Sequence, residues 1–199
     1  MFGHAAIEAL LEHYEFESVI DVGAGSGVAG FKFQDAGKTV YSSDIADFGA
    51  PNLIEGDYLD TYFPKVDVIW ASHVLEHQLN VNNFLNKCCF DLNEKGIICV
   101  TVPPLKHEIV GGHVTLWNAG LLLYNLILGG FDCRDAAVKT YGYNISVIAK
   151  KRREFLPALK YDYGDIETLA PWFPEGFNFQ GFNGMISELN WPKKGYYGR

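Results

Sequence analysis

"SVIDVGAGSGVAG", Ser18–Gly30, decides how the rest of the chain is read, because its one glycine run fits two patterns. Counted from Asp21 it is D-x-G-x-G-x-G, with Gly23, Gly25 and Gly27; counted from Gly25 it is G-x-G-x-x-G, the dinucleotide fingerprint. "SVIDV" is a short apolar run of the kind that forms a buried strand, and glycines after a parallel strand let the backbone turn tightly and approach a ligand. The two patterns differ in the charge they tolerate. A pyrophosphate wants bare amides at a helix N-terminus with no carboxylate beside it, whereas a cationic ligand welcomes a carboxylate. Asp21 lies inside the strand, two residues before the first glycine, and so favours a cation. Register agrees, since a strand ending near Val22 puts Gly23 at the turn, while G-x-G-x-x-G counted from Gly23 fails at Val28.

Outward from this stretch, apolar periodicity alternates between helical and extended spacing, which predicts a parallel sheet with crossover helices. Before it, Ile7, Leu10, Leu11 and Tyr14 form a helical stripe. After it, a helical stretch to about Gly37 leads to strands in "KTVYSSD", "PNLIEGD" and "VDVIWAS". His77 is read as the start of the next helix, in which Val81, Phe84, Leu85, Cys88 and Leu92 fall at helical spacing and "NEKG" ends it; "GIICVTV" is a fifth strand, stopped by Pro103 and Pro104. Asn118 is placed to cap a helix over residues 119–128, with Gly129 and Gly130 as terminators. "FDCRDAAVKTYG" and "YNISVIAKK" read as a final antiparallel pair. The expected architecture is α/β: a Rossmann-like, seven-stranded, mostly parallel sheet with an antiparallel final strand and helices on both faces, spanning residues 1–150. Residues 151–199 are aromatic, glycine-broken and without sustained period, and include Tyr161, Tyr163, Trp172, Phe173, Phe177, Phe179, Phe182, Trp191, Tyr196 and Tyr197. They read as an irregular arm that packs on the body or on a second subunit of a homodimer, or roofs a site.

Charge narrows the partners. Residues 1–150 carry 9 Lys or Arg against 18 Asp or Glu, and residues 151–199 carry 7 against 6, so the body is acidic and unsuited to a nucleic-acid backbone. "KKRR" at 150–153 reads as a solvated strand end. Cys88, Cys89, Cys99 and Cys133 show no C-x-x-C spacing and read as reduced core residues. The longest apolar run, "LLLYNLILGGF", is far shorter than a membrane span of about 20 residues, and no leader opens the chain; the expected location is cytoplasmic.

Two more acids stand at strand ends. Asp44, in "SSDIAD", can accept from both ribose hydroxyls of an adenosine, one strand over from the glycines. Asp57, in "GDYLD", follows the short third strand; it reads either as an acceptor for an adenine amino group, with Tyr58 or Leu59 packing on the ring, or as an ordinary turn aspartate.

"VIDVGAGSG", "SSDIAD", "GDYLD", "VDVIWASHVLEHQLN", "VTVP" and "HVTLWNAGLLLYNLILGGF" together resemble, in order and spacing over roughly residues 15–150, a class I S-adenosylmethionine-dependent methyltransferase of the small-molecule type, with the "vLEH" motif after strand four. The resemblance implies S-adenosyl-L-methionine as cofactor, whose sulfonium and ammonium are the cations that Asp21 suits. By position it assigns cofactor contacts to Asp21, Gly23, Ala24, Gly25, Gly27, Asp44, Ile45, Asp57, Tyr58, Ser72 and His73. Ala24, where many members carry cysteine, is a departure.

Methyl transfer needs an aligned nucleophile and, for a hydroxyl acceptor, a base; histidine suits neutral pH. His113 in "VGGHVTLW" is the first candidate, since it follows glycines in the loop after strand five, and His73 at the cofactor edge is the second. Glu76 and His77 belong to the group-wide pattern and read as structural. His107, Glu108 and His113 match no strong metal-ligand spacing, so no metal is expected. The Asn/Asp-Pro-Pro-aromatic motif of amino-directed nucleic-acid methyltransferases is missing from strand four, which ends "ASHV". The expected acceptor is therefore a small molecule bearing a hydroxyl, sugar-like or otherwise. The competing readings are a non-catalytic cofactor-binding partner protein and a nicotinamide-dependent oxidoreductase; the latter lacks a Tyr-x-x-x-Lys pair.

Overall fold

The computed structural model describes residues 2–193, so Tyr196 and Tyr197 lie outside the described residues. Helices α1 (His4–His13), α2 (Val28–Asp35), α3 (Val81–Asp91) and α4 (Ala119–Leu128) surround strands β1 (Ser18–Val22), β2 (Thr39–Asp44), β3 (Leu53–Glu55), β4 (Val66–Ser72), β5 (Leu92–Val102), β6 (Phe131–Tyr141), β7 (Asn144–Lys151) and β8 (Glu188–Leu189). The sheet has eight strands in the order β3-β2-β1-β4-β5-β7-β6-β8. Strands β3 to β5 run parallel with β1, while β7 is antiparallel to both of its neighbours and β8 is antiparallel to β6. Seven strands follow the expected plan; the eighth comes from the arm, where two residues give a sequence reader no period to detect.

Alternation along the central strands divides the core into two layers, because successive side chains leave a strand on opposite faces. Val19, Val68, Trp70, Ile97 and Cys99 face α1 and α2, where they meet Ile7, Leu10 and Phe33. Ile20, Ile69, Ala71, Ile98 and Val100 face α3 and α4, where they meet Phe84, Leu85, Leu122 and Leu126. The cysteines are free: Cys88, Cys99 and Cys133 are buried and Cys89 is half-buried, and burial pushes all four thiols up. None of the described helices is long and apolar enough to cross a membrane.

Two boundaries differ from the sequence reading. Helix α3 ends at Asp91, and Leu92–Gly96, expected as its last turn and terminator, is the extended start of β5, paired at Leu92 with Val66. His77 does not open a helix; it closes a 3-10 turn, Leu75–His77, and α3 starts later behind the Asn80 cap, whose side chain accepts from the Asn83 amide at 3.1 Å. Asn118 caps α4 as expected, accepting from the Leu121 amide at 2.8 Å. Arg152 of the basic cluster closes the far end of that helix, its guanidinium donating to the Ile127 carbonyl at 2.6 Å.

The arm finds its apolar partners within its own chain. Leu169, Phe173 and Ile186 are buried in the α3/α4 layer, with Trp172, Phe177 and Phe182 partly buried against it, whereas Phe155, Tyr161 and Tyr163 are exposed. Its close approach needs a glycine on α4: the Gly120 amide donates to the Gly184 carbonyl at 3.0 Å, and a Cβ there would lie 2.7 Å from Gly184 Cα and from the Phe182 ring. Gly120→Val is therefore expected to lower thermal stability by ~1–3 kcal/mol through overpacking and to expose the arm to limited proteolysis. Cleavage no faster than in wild type would mean that the arm is anchored elsewhere.

Candidate active site

The C-terminal edge of the parallel strands is where open α/β sheets place ligands, and there a cleft of about 500 Å³ runs from the end of β3 to the end of β4. Its walls include Gly23, Asp44, Ile45, Asp57, Tyr58 and His73, six of the expected cofactor residues. Val22, Ser43, Gly56, Leu59, Val74, His77, Gln78, Leu79, Asn80 and Phe84 complete it. Most of these were not singled out in the sequence, since apolar and amide side chains acquire meaning only from the edge they occupy.

The glycine loop has the form that the D-x-G-x-G-x-G reading requires. Gly23, Gly25 and Gly27 all take left-handed φ values, 67°, 52° and 75°, a region costly for a residue with a Cβ. The loop is tied to β2, with the Gly23 amide donating to the Ser43 carbonyl at 2.8 Å, the Ala24 amide to the same carbonyl at 3.1 Å, and the Gly25 amide to Asp44 Oδ2 at 2.7 Å. Ala24, Gly25 and Gly27 shape the loop without lining the cleft.

Asp21 also stands behind the loop. It leaves β1 on the α2 side, is buried, and accepts from the Gly30 amide in the first turn of α2 at 3.0 Å. Burial, with the neighbouring Asp44 charge adding to it, pushes its carboxyl up to about 7 against the relief given by the Gly30 hydrogen bond. The Gly30 amide, in the first turn of α2, is thus already bonded to an acid.

At the adenosine end, Ile45 is 78% exposed beside Asp44, an apolar side chain available to a ring. Asp57 accepts from the Leu59 amide at 2.9 Å, so it is a turn aspartate that also lines the cleft. Tyr58 is turned inward, its hydroxyl donating to Asp91 at 2.8 Å, and offers only its buried flank. Ser72 points to the other side of the sheet, near Gly3, and does not line the cleft.

His73 is held from every side. Its φ is 58°, its amide donates to the Thr101 carbonyl at 2.8 Å, and Phe2 packs on its ring at 4.2 Å between centroids. Nε2 lies 3.1 Å from Asn144 Oδ1 and Nδ1 lies 3.1 Å from Glu76 Oε1. Asn144 Oδ1 already accepts from the Gly3 amide at 3.2 Å, so the imidazole is the donor on that side. With Nε2 donating to Asn144 and Nδ1 turned onto the buried Glu76 carboxylate, His73 suits positioning better than proton abstraction.

His113 lies in a second hollow of about 220 Å³ beside the cleft, lined by Pro103, Pro104, Lys106, Trp117 and Tyr143 among others. The Trp117 indole N–H is buried and without a hydrogen-bond partner among the described residues. His107 is exposed and is not among the residues lining this hollow, which separates it from His113.

Sheet order, glycine loop and edge cleft together define the fold of class I S-adenosylmethionine-dependent methyltransferases. Solved structures agree. A chain of the complex between the Haloferax volcanii Trm112 methyltransferase activator and a methyltransferase superposes with a TM-score of 0.65 at 15% identity, over 77% of this chain and 91% of that one. The Burkholderia thailandensis 1,6-didemethyltoxoflavin-N1-methyltransferase, solved with 1,6-didemethyltoxoflavin and S-adenosylhomocysteine bound, gives 0.64 at 15% identity over 75% and 77%. An Archaeoglobus fulgidus S-adenosylmethionine-dependent methyltransferase gives 0.63 at 16% identity over 75% and 91%. No protein-family model and no curated protein matches the sequence.

Proposed function

We propose that the protein transfers a methyl group from S-adenosyl-L-methionine to a small-molecule acceptor bearing a hydroxyl. The observation that carries this reading is the edge cleft itself, with the Asp44 carboxylate on its wall beside the left-handed Gly23 turn and Asp21 buried behind the glycine loop. A sulfonium ligand is favoured there and a pyrophosphate is not. Asp44 and Ile45 would hold the adenosine, Asp57 and the Tyr58 flank would bound the adenine, and Gly23 with the His73 turn would face the methionine portion.

The acceptor would enter the proline-lined hollow, whose largely apolar walls suit a compact molecule and whose rim brings His113 to it. His113 supplies the group that manages its proton, being half-buried with no hydrogen bond to its ring among the described residues. Bound S-adenosyl-L-methionine would supply an activated methyl group to the acceptor oxygen, and His113 would manage the hydroxyl proton released.

Calorimetry with S-adenosylhomocysteine and with NAD tests the cofactor. Binding of the first and not the second is expected; folded protein that ignores S-adenosylhomocysteine would end this reading. His113→Ala is expected to leave S-adenosylhomocysteine affinity unchanged while slowing transfer about 100-fold or more, the usual contribution of a positioned base. Full activity in that variant would clear His113 of any part in the chemistry.

A further inference from the structure

Glu76 presents an unresolved problem in the fold. Its side chain is completely buried, yet neither carboxylate oxygen has a hydrogen-bond partner among the described residues. The nearest cations-in-waiting are imidazoles: His73 Nδ1 at 3.1 Å, in a contact too poorly aligned to be a hydrogen bond, and His77 Nε2 at 4.0 Å. A carboxylate left this way costs several kcal/mol unless something compensates it.

His77 is prepared to compensate. Its Nδ1 lies 2.8 Å from the Gly112 carbonyl, which can only accept, so Nδ1 carries the proton and Nε2 presents its lone pair toward Glu76. A backbone carbonyl on the far nitrogen is the usual way a metal-binding imidazole is oriented. His113 completes the set: its ring stands edge-on to His77 at 5.0 Å, and one ligand atom from each of Glu76, His77 and His113 lies within 4.8 Å of the others. The pairing of loop and turn is enforced by the backbone, since the Val114 and Thr115 amides both donate to the Glu76 carbonyl, at 2.8 and 3.3 Å.

We infer that Glu76, His77 and His113 form a binding site for a divalent transition-metal ion. Two imidazoles and one carboxylate suit zinc or manganese better than magnesium or calcium, which prefer oxygen donors throughout. Metal–ligand bonds of about 2.1 Å bring tetrahedral ligand atoms to about 3.4 Å apart, so the triad closes by roughly 1 Å on loading. Gly112, next to His113, takes a left-handed φ of 81°, which turns its carbonyl onto His77 and the following imidazole toward the same point. Three protein ligands leave a position open to water or to an acceptor oxygen. His77 lines the cofactor cleft and His113 the neighbouring hollow, so the ion would lie between donor and acceptor. That last placement rests on the methyltransfer reading; the metal site itself does not, and with the ion bound His113 acts on the acceptor's proton through the ion's open position and not as a free base.

The test uses metal alone. Chelator-stripped protein titrated with Zn2+ and with Mn2+, then desalted and measured for retained metal, is expected to hold one equivalent. His77→Ala and His113→Ala are each expected to weaken binding by about 100-fold or more, while His107→Ala, in the same loop region but outside the triad, leaves it unchanged. Glu76→Gln is the third ligand variant; if it fails to fold, the two histidine variants decide. No retained metal, or equal retention in His113→Ala and wild type, would overturn the site and leave Glu76 paired with His73 alone. Calorimetry with S-adenosylhomocysteine in the same variants separates loss of the metal from loss of the cofactor.

Discussion

Asp44→Ala is expected to weaken S-adenosylhomocysteine binding by about 30- to 1000-fold. Two hydrogen bonds from ribose hydroxyls to an ionised carboxylate are worth ~1.5–3 kcal/mol each, and losing about two-thirds of that sum, roughly 2–4 kcal/mol, gives this range at about 1.4 kcal/mol per factor of ten. A second consequence adds to it. Asp44 Oδ2 also receives the Gly25 amide at 2.7 Å, so the substitution releases the middle of the glycine loop as well as the ribose. Asp44→Asn, which keeps one acceptor oxygen, is expected to fall between the two. Calorimetric affinity within about threefold of wild type would remove Asp44 from the ribose site.

The second large effect is on stability and concerns Asp21. Its folded carboxyl is raised from 3.8 to about 7, so the folded state holds this proton more tightly than the unfolded chain does. The sign follows directly. Below pH 4 the group is protonated in both states and contributes nothing; between about 4 and 7 the unfolded chain loses its proton first, and folding stability falls as pH rises. The full loss, a shift of about three units at 1.36 kcal/mol each, is roughly 4 kcal/mol above pH 7. Asp21→Asn keeps an oxygen for the Gly30 amide and removes the ionisation. Its melting temperature is therefore expected to gain on wild type as pH rises from 5 to 8. The cost of burying the new amide is independent of pH and cannot imitate this slope. Parallel curves for variant and wild type would show that Asp21 is not a strained acid. Asp44→Ala should flatten the wild-type slope in part, because the Asp44 charge is one of the causes of the shift.

How much of this was legible beforehand varies with the distance over which each feature is determined. Strands β1, β4 and β5 declare themselves because a run such as "VDVIWAS" is apolar on both faces, as a strand covered on both sides must be. Strand β8 does not, because Glu188–Leu189 becomes a strand only by pairing with Lys139 and Val138 across the edge of β6. Among the site residues, Gly23 and Asp44 are visible from spacing, since a turn after a strand and an acid at the next strand's end are local facts. The hidden site is Glu76, His77 and His113. Sequence spacing directs attention to His107, Glu108 and His113, which are neighbours in the chain. The structure instead joins His113 to a turn 36 positions earlier through amides bonded to the Glu76 carbonyl.

Asp21 shows the division most clearly. From the sequence alone, its place inside an apolar strand two residues before Gly23 marks it as an acid with a task, and its charge argues against a phosphate on the loop. That much follows from composition and spacing, because alternation and turn geometry act within a few residues. Only the tertiary structure shows that its side chain leaves on the α2 face and binds the Gly30 amide, away from the cleft wall. The orientation depends on which helix covers which face of the sheet, and the raised acidity depends on burial under that helix. Both arise from packing between segments, which one-dimensional spacing does not contain.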